Sequence, residues 1–358
     1  MRWFEGVEGH ARAKEVLARA IERDRVPPAL LIVGREGSGR FLLARELARA
    51  LECRGEGDRR PCGACVPCRK IEAGTHPDVV RVSPEEGKAA LGIDQVRALL
   101  DELALAPVEG RRRVFVVDPA DAMTDDAQNA LLKALEEPPA RSHLVLVARH
   151  EDAVLRTVAS RCFVLALGAL ESAEVERVLV ARGVPQAEAR ERAAWSGGSV
   201  GVALRPKHLE RVASARALLE ALASGEARKN PLGVAQDLLA KAAPKNQEPA
   251  LRREGALEVT DILGRALRDA LDRATRGDEA RALSGADPAV VGRLARAGAD
   301  RIALAIDAVQ KIEEAIANNQ NVNLSLEGLV LDASSALARP GGTRGSETPA
   351  NEGLAHGR

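Results

Sequence analysis

Three observations predict an α/β domain on a parallel sheet, followed by all-α modules. Short apolar runs alternate with helical stretches up to residue 168, and no β-type run follows Leu167. A glycine-rich loop joins the first of those runs to a helix. At 358 residues the chain is too long for one ordinary core, and two or three domains are expected.

The β-type runs are Ala29–Val33, Val79–Val82, Val114–Val117, Leu144–Val147 and Phe163–Leu167. They are mostly continuous rather than alternating in polarity, as in strands covered by helices on both faces. Leu42–Leu51 reads as the helix after the first run. A second helix starts after Thr124, a residue suited to capping, with Asp125 and Asp126 in the first turn where the helix dipole favours acids. Ala127, Ala130, Leu131, Ala134 and Leu135 make its apolar stripe, and Pro138–Pro139 end it. Residues 171–205 read as two or three short helices broken at Gly183 and Gly197–Gly198. From 208 to 338 everything reads as helix. There Leu257, Ile262, Leu263, Ala266, Leu267, Ala270 and Leu271 follow the 3.6-residue period of a bundle helix. The Gly/Pro/Ser/Thr-rich stretch 339–358 reads as a disordered tail.

Lys+Arg and Asp+Glu both number 52, which excludes a histone-like coat of positive charge while leaving room for local basic patches. No apolar run approaches the roughly 20 residues of a membrane span, and charges interrupt the N-terminus where a signal peptide needs apolar residues. A cytoplasmic protein without membrane partners is expected. Aromatic residues make up only 2% of the chain, leaving few rings on which bases could stack.

Two clusters carry chemistry. The first is Gly34-Arg-Glu-Gly37-Ser-Gly39-Arg40-Phe41, placed between a strand and a helix with Walker A spacing. Backbone N–H groups in such a loop can cradle phosphate. Arg40 stands where a compact lysine reaches between phosphates, and Phe41 has no oxygen to offer Mg²⁺. Val114–Val117 then leads to Asp118, a metal-holding acid in a Walker B strand. Pro119 follows in place of the catalytic Glu, and the fourth run ends in Val147-Ala148 without a polar residue to orient water. The loop is therefore read as an inactive phosphate loop, expected neither to hydrolyse nor to depend on ATP, with weak nucleotide binding the open alternative.

The second cluster is Cys53-x8-Cys62-x2-Cys65-x2-Cys68, which holds four of the five cysteines. In a reducing compartment clustered cysteines read as metal ligands before disulfides. Four thiolates close a tetrahedral Zn²⁺ site and leave no position for a reactive water, so the zinc is expected to be structural. Arg54, Arg59, Arg60, Arg69 and Lys70 are positioned to offset a net charge of about −2 at such a centre. Surface thiols without metal are the alternative. Cys162 stands apart and is expected to pack as a small apolar residue.

With these motifs in place the chain resembles the delta-prime family of bacterial DNA polymerase III clamp-loader subunits, within the AAA+ superfamily. The resemblance is strong over about residues 3–206 and weak beyond. It rests on the cysteine spacing, His76-Pro-Asp78, Ile93-Asp-Gln-Val-Arg97, the stretch Asp125 to Pro139, and Ser160-Arg161-Cys162. Asn321 to Leu329 resembles the family's C-terminal ending. The related gamma/tau motor subunits share the cysteine module and the Ser-Arg-Cys triplet but need intact Walker residues. The departures at Arg40, Phe41, Pro119 and Ala148 point to delta-prime.

The resemblance implies an AAA+ α/β domain over 1–168 with a zinc module at 53–68, a helical lid over 169–206, and a helical collar over 207–338. It implies a non-catalytic subunit of the DNA polymerase III holoenzyme that helps load the sliding clamp on primer–template DNA. The implied partners are the gamma/tau and delta subunits. Arg161 would act as an arginine finger on a neighbouring subunit's bound nucleotide. Two other readings stay open: a gamma/tau-like ATPase using Arg40 for Lys, and a zinc-knuckle nucleic-acid-binding protein.

Overall fold

The computed structural model describes residues 2–85, 87–88, 90–277 and 284–338; the expected tail at 339–358 lies outside them. The chain forms two compact units, Met1–His208 and Leu209–Arg358.

The strands of the first unit are β1 (Arg2–Trp3), β2 (Ala29–Gly34), β3 (Arg59–Arg60), β4 (Val79–Val82), β5 (Arg113–Val117), β6 (Ser142–Ala148) and β7 (Phe163–Leu167). Its helices are α1 (Ala11–Glu22), α2 (Arg40–Glu52), α3 (Val66–Glu72), α4 (Ile93–Leu103), α5 (Asp125–Glu136), α6 (Arg156–Ala159), α7 (Ser172–Ala181), α8 (Gln186–Trp195) and α9 (Val200–Ala203). Five strands form one parallel sheet in the order β4-β5-β6-β2-β7. The short β1 and β3 pair parallel to each other, so the N-terminus is stitched to the segment between the first and second cysteines.

The continuous apolar runs resolve into two buried faces. Leu30, Ile32, Val114, Val116, Val145 and Val147 pack with α1 and α2 on one side. Leu31, Val33, Phe115, Val117, Leu144 and Leu146 pack with α4, α5 and α6 on the other. Since strand side chains alternate, a run apolar at every position can fill both faces. Thr124 caps α5 as expected, its Oγ1 accepting the Ala127 N–H at 3.3 Å.

Strands β5 and β6 start earlier than their apolar runs. Arg113, Ser142 and His143 are all buried at the strand starts. Distant groups satisfy them: Ser142 donates to Leu103 O at 3.0 Å, His143 Nδ1 lies 3.0 Å from Pro27 O, and Arg113 donates to Glu102 O at 2.6 Å. A polar strand start of this kind is set by tertiary partners and leaves no mark in apolar periodicity.

The second unit is helical throughout its described residues: α10 (His208–Ser224), α11 (Glu226–Lys229), α12 (Pro231–Ala242), α13 (Pro249–Arg276), α14 (Pro288–Ala295), α15 (Ala299–Ala317) and α16 (Val322–Ala338). The stripe on α13 buries Ile262, Leu263, Ala266, Leu267 and Ala270 completely, with Leu257 and Leu271 at its margins. The helix is buried on its polar side as well. Glu258 pairs with Arg211 at 2.5 Å, and Asp269 accepts the Ser284 N–H at 2.8 Å. Paired charges let α13 run through the centre of its unit, where the apolar stripe alone predicts a half-exposed helix.

Candidate functional site: a cysteine cluster and a phosphate-type loop

The four clustered cysteines come from three elements. Cys53 ends α2, Cys62 follows β3, Cys65 caps the start of α3, and Cys68 lies inside that helix. Their sulfurs all lie within 4.8 Å of one another. A tetrahedral metal with bonds of about 2.3 Å spaces its sulfurs by about 3.8 Å, so the cluster has the size such an ion needs. Cys62 N–H donates to Cys53 Sγ at 3.3 Å and Cys65 N–H to Cys62 Sγ at 3.4 Å, the contacts that favour thiolate over thiol. Burial opposes ionisation of Cys62, but the backbone N–H groups of Cys65 and Ala64 outweigh it and hold the group at about 6. Burial pushes Cys68 the other way. The group can hold a metal ion, and its all-sulfur donor set suits zinc.

The basic residues around the cluster tie it to the scaffold. Arg60 donates to Cys53 O at 3.0 Å, Arg54 to Glu109 O at 2.6 Å, and Lys70 pairs with Glu109 at 2.7 Å. Asp78, from the His-Pro-Asp triplet, is fully buried. It accepts the N–H groups of Val108, Glu109 and Gly110 at 2.7–2.9 Å. Burial alone would raise its pKa; the three donors outweigh it and hold Asp78 below the usual carboxylate range. Glu52, also buried, accepts the backbone N–H groups of Arg111 and Arg112 at 2.7 and 2.8 Å. Two buried acids thus fasten the 108–112 loop that leads into β5. That role was not read from the sequence, and nothing local signals it.

The phosphate-type loop joins β2 to α2. Gly37 and Gly39 hold positive φ of 72° and 90°, the backbone that lets the loop turn into the helix. A side chain on Gly37 would also fall 2.9 Å from Gly201 Cα. The approach is close because the loop is bound to the segment entering α9: Ser199 Oγ donates to Glu36 O at 2.9 Å, Gly201 N–H to Gly37 O at 3.2 Å, and Arg205 pairs with Glu36 at 2.7 Å. Gly37, Gly39, Arg40, Phe41 and Asp118 line one cavity of about 700 Å³. Gly34 lies behind them, its would-be side chain blocked by Leu167.

Arg81 donates to Asp118 Oδ2 at 2.7 Å, and its guanidinium lies 4.2 Å above the Phe41 ring. One arginine thus both pairs with Asp118 and lies over the Phe41 ring. Desolvation lowers the pKa of Arg40 against the opposing pull of Asp121, Asp118 and Glu36. Sequence reading missed Arg81, Ser199 and Arg205, which act on the loop from far along the chain.

Arg161 lies in the turn between α6 and the edge strand β7, and does not line the loop cavity. Its Nε donates to Glu136 Oε1 at 2.8 Å, and one terminal nitrogen donates to Thr157 O at 3.0 Å. Cys162, half-buried against the α5–α6 face, has its thiol raised to about 11 by burial and is not part of the cysteine cluster.

Taken together, these features define an α/β protein on a five-stranded parallel sheet, with a glycine-rich loop after β2 and a four-cysteine group that could hold a metal ion. Residues 9–171 match the family described as "DNA polymerase III, delta subunit". The chain is 34% identical over 188 residues to DNA polymerase III subunit delta' of Bacillus subtilis, covering 52% of this chain and 56% of that protein. It is 39% identical over 163 residues to the Escherichia coli subunit of the same name, covering 45% and 48%. A subunit named gamma/tau from Mycobacterium bovis is 30% identical over 94% of this chain and 53% of its own length. The chain spans about half the length of the curated relatives it matches. A gamma subunit-related protein of Thermotoga maritima is similar in structure at 19% identity and a TM-score of 0.45, covering 90% of this chain and 99% of that one. The chain is thus similar, over about half its length, to the delta-prime subunits of DNA polymerase III.

Proposed function

We propose that the chain is a delta-prime-type, non-hydrolysing AAA+ subunit of a DNA polymerase III clamp loader. One observation carries the reading over a gamma/tau-like motor. The Walker lysine and hydroxyl positions are Arg40 and Phe41, and the carboxylate of Asp118 is engaged by Arg81 at 2.7 Å. A motor subunit needs Asp118 free for its metal. The longer match to a gamma/tau subunit favours the motor reading, and hydrolysis separates the two.

In this reading residues 1–168, 169–206 and 207–338 are the AAA+, lid and collar domains, and the cysteines hold structural zinc. The partners are gamma/tau and delta subunits, the sliding clamp and primer–template DNA, in the cytoplasm. Arg161 completes a neighbour's nucleotide site. A planar, permanently charged guanidinium on an edge suits that work, since it can bind phosphoryl oxygens through two donors.

The experiment is reconstitution with gamma/tau and delta subunits. The purified chain should show no ATP hydrolysis above background. The Arg161→Ala complex should assemble normally and lose several-fold in DNA-stimulated ATPase rate, less than the ~10³–10⁵ of trans-acting fingers in GTPases because the ring's other sites remain. Hydrolysis by the isolated chain would establish the motor reading, and wild-type turnover by the assembled variant would leave Arg161 a surface cation.

A further inference from the structure

A second cavity, of about 770 Å³, opens at the other end of the sheet. Val26 precedes β2, Arg111 and Arg112 precede β5, and Arg141 precedes β6, so the cavity sits at the strands' N-terminal ends. The phosphate-type loop follows the C-terminal end of β2, on the opposite side.

Its walls are strongly basic. Arg60, Arg111, Arg112 and Arg141 line it, against two acids, Glu22 and Asp24. Both acids are already engaged: Glu22 accepts the Trp3 indole N–H at 2.8 Å, and Asp24 pairs with Arg112. The Arg111 and Arg141 side chains have no partner among the described residues, while their backbones are held. Arg111 N–H donates to Glu52 at 2.7 Å, and Arg141 O accepts the Arg113 N–H at 2.8 Å. Arg60 keeps one arm on Cys53 O. Folding thus gathers four arginines around one cavity with too few acids to neutralise them. Arginine presents the forked donors that match phosphate oxygens. Trp3 adds one aromatic wall.

We propose that this cavity is an anion site for a phosphate-bearing ligand, either a free nucleotide or the backbone of a single nucleic-acid strand, with Arg111 and Arg141 as the principal phosphate contacts. The site is separate from the phosphate-type loop and stands whether or not the chain is a clamp-loader subunit.

The test uses tryptophan fluorescence of the full-length chain. Trp3 lines the cavity, and Trp195, the other tryptophan, is buried at 2% exposure and serves as a constant background. Titration with pyrophosphate, ADP and a short oligothymidylate at low salt should give a saturable change that weakens with added salt. The double variant Arg111→Ala/Arg141→Asn should lose at least about tenfold in affinity, roughly the loss of one charged hydrogen bond. Asparagine is chosen because Arg141 has a φ of 62°, a backbone that asparagine tolerates. Arg40→Ala, at the other site, should leave the titration unchanged. Tighter binding of the oligonucleotide than of ADP names the nucleic-acid backbone as the source; the reverse names a free nucleotide. The proposal is overturned by the absence of a saturable change with any of the three probes. It is equally overturned by an unaltered double variant, by loss of binding in Arg40→Ala, or by binding of an acidic peptide in place of all three.

Discussion

Arg161 is held to Glu136 and Thr157 O by bonds of 2.8 and 3.0 Å, with 36% of its side chain exposed. An ion pair this open to solvent contributes about 0–1 kcal/mol, so the guanidinium is oriented without being immobilised. Asp78 is the opposite case: fully buried, with three N–H groups donating to it. Asp78→Ala would leave those donors buried without a partner, and is expected to cost about 3 kcal/mol or more. Chemical denaturation of the two proteins measures the difference, and an unchanged midpoint would show that water replaces the carboxylate. Arg81 pairs with Asp118 and covers the Phe41 ring at once.

At the scale of elements, the segment from Cys53 to Cys68 contains only the two-residue β3 and the start of α3. Little apolar burial holds it together, so a bound metal would supply the missing stabilisation, roughly 10–16 kcal/mol for zinc in small modules. Metal analysis should return one Zn²⁺ per chain. Cys62→Ser should release it and raise amide exchange across residues 53–70, while exchange in β2 and β6 stays slow. A metal-free wild-type protein with a protected 53–70 segment would contradict the assignment. The β1–β3 pairing and the Arg54, Arg60 and Lys70 contacts then carry the module's position to the scaffold.

For the whole molecule, the first unit depends on buried groups whose pKa values are depressed. Burial lowers His143 from its ordinary 6.5, so the folded state favours the neutral ring. Asp78 is held below its ordinary 3.8 by backbone donors. In both cases the unfolded chain binds the proton more readily than the folded one. Stability is therefore fully present above the ordinary pKa and falls as pH drops through the folded value. The first unit is expected to weaken from below about pH 6.5, through His143, and again below about pH 4, through Asp78. A His143→Gln variant should remove the first step and keep the second; melting temperatures followed from pH 8 to 3 would show it, and a first step that survives in the variant would assign it elsewhere.

The sequence by itself determined the five main sheet strands, the capped α5, the four-cysteine spacing and the glycine-rich loop after β2. Each is a local property: apolar period, a capping side chain, a short repeat of cysteines, or the identity of a residue at a motif position. Only the tertiary structure decided what those residues meet. Arg81 reaches Asp118 and Phe41, Ser199 and Arg205 fasten Glu36, and Asp78 holds the 108–110 loop. The arginine cavity gathers residues 60, 111, 112 and 141 from separate connections. Charged and hydrogen-bonding side chains find partners in space with no fixed offset along the chain, whereas the periodicity of helices and strands is written in neighbouring residues.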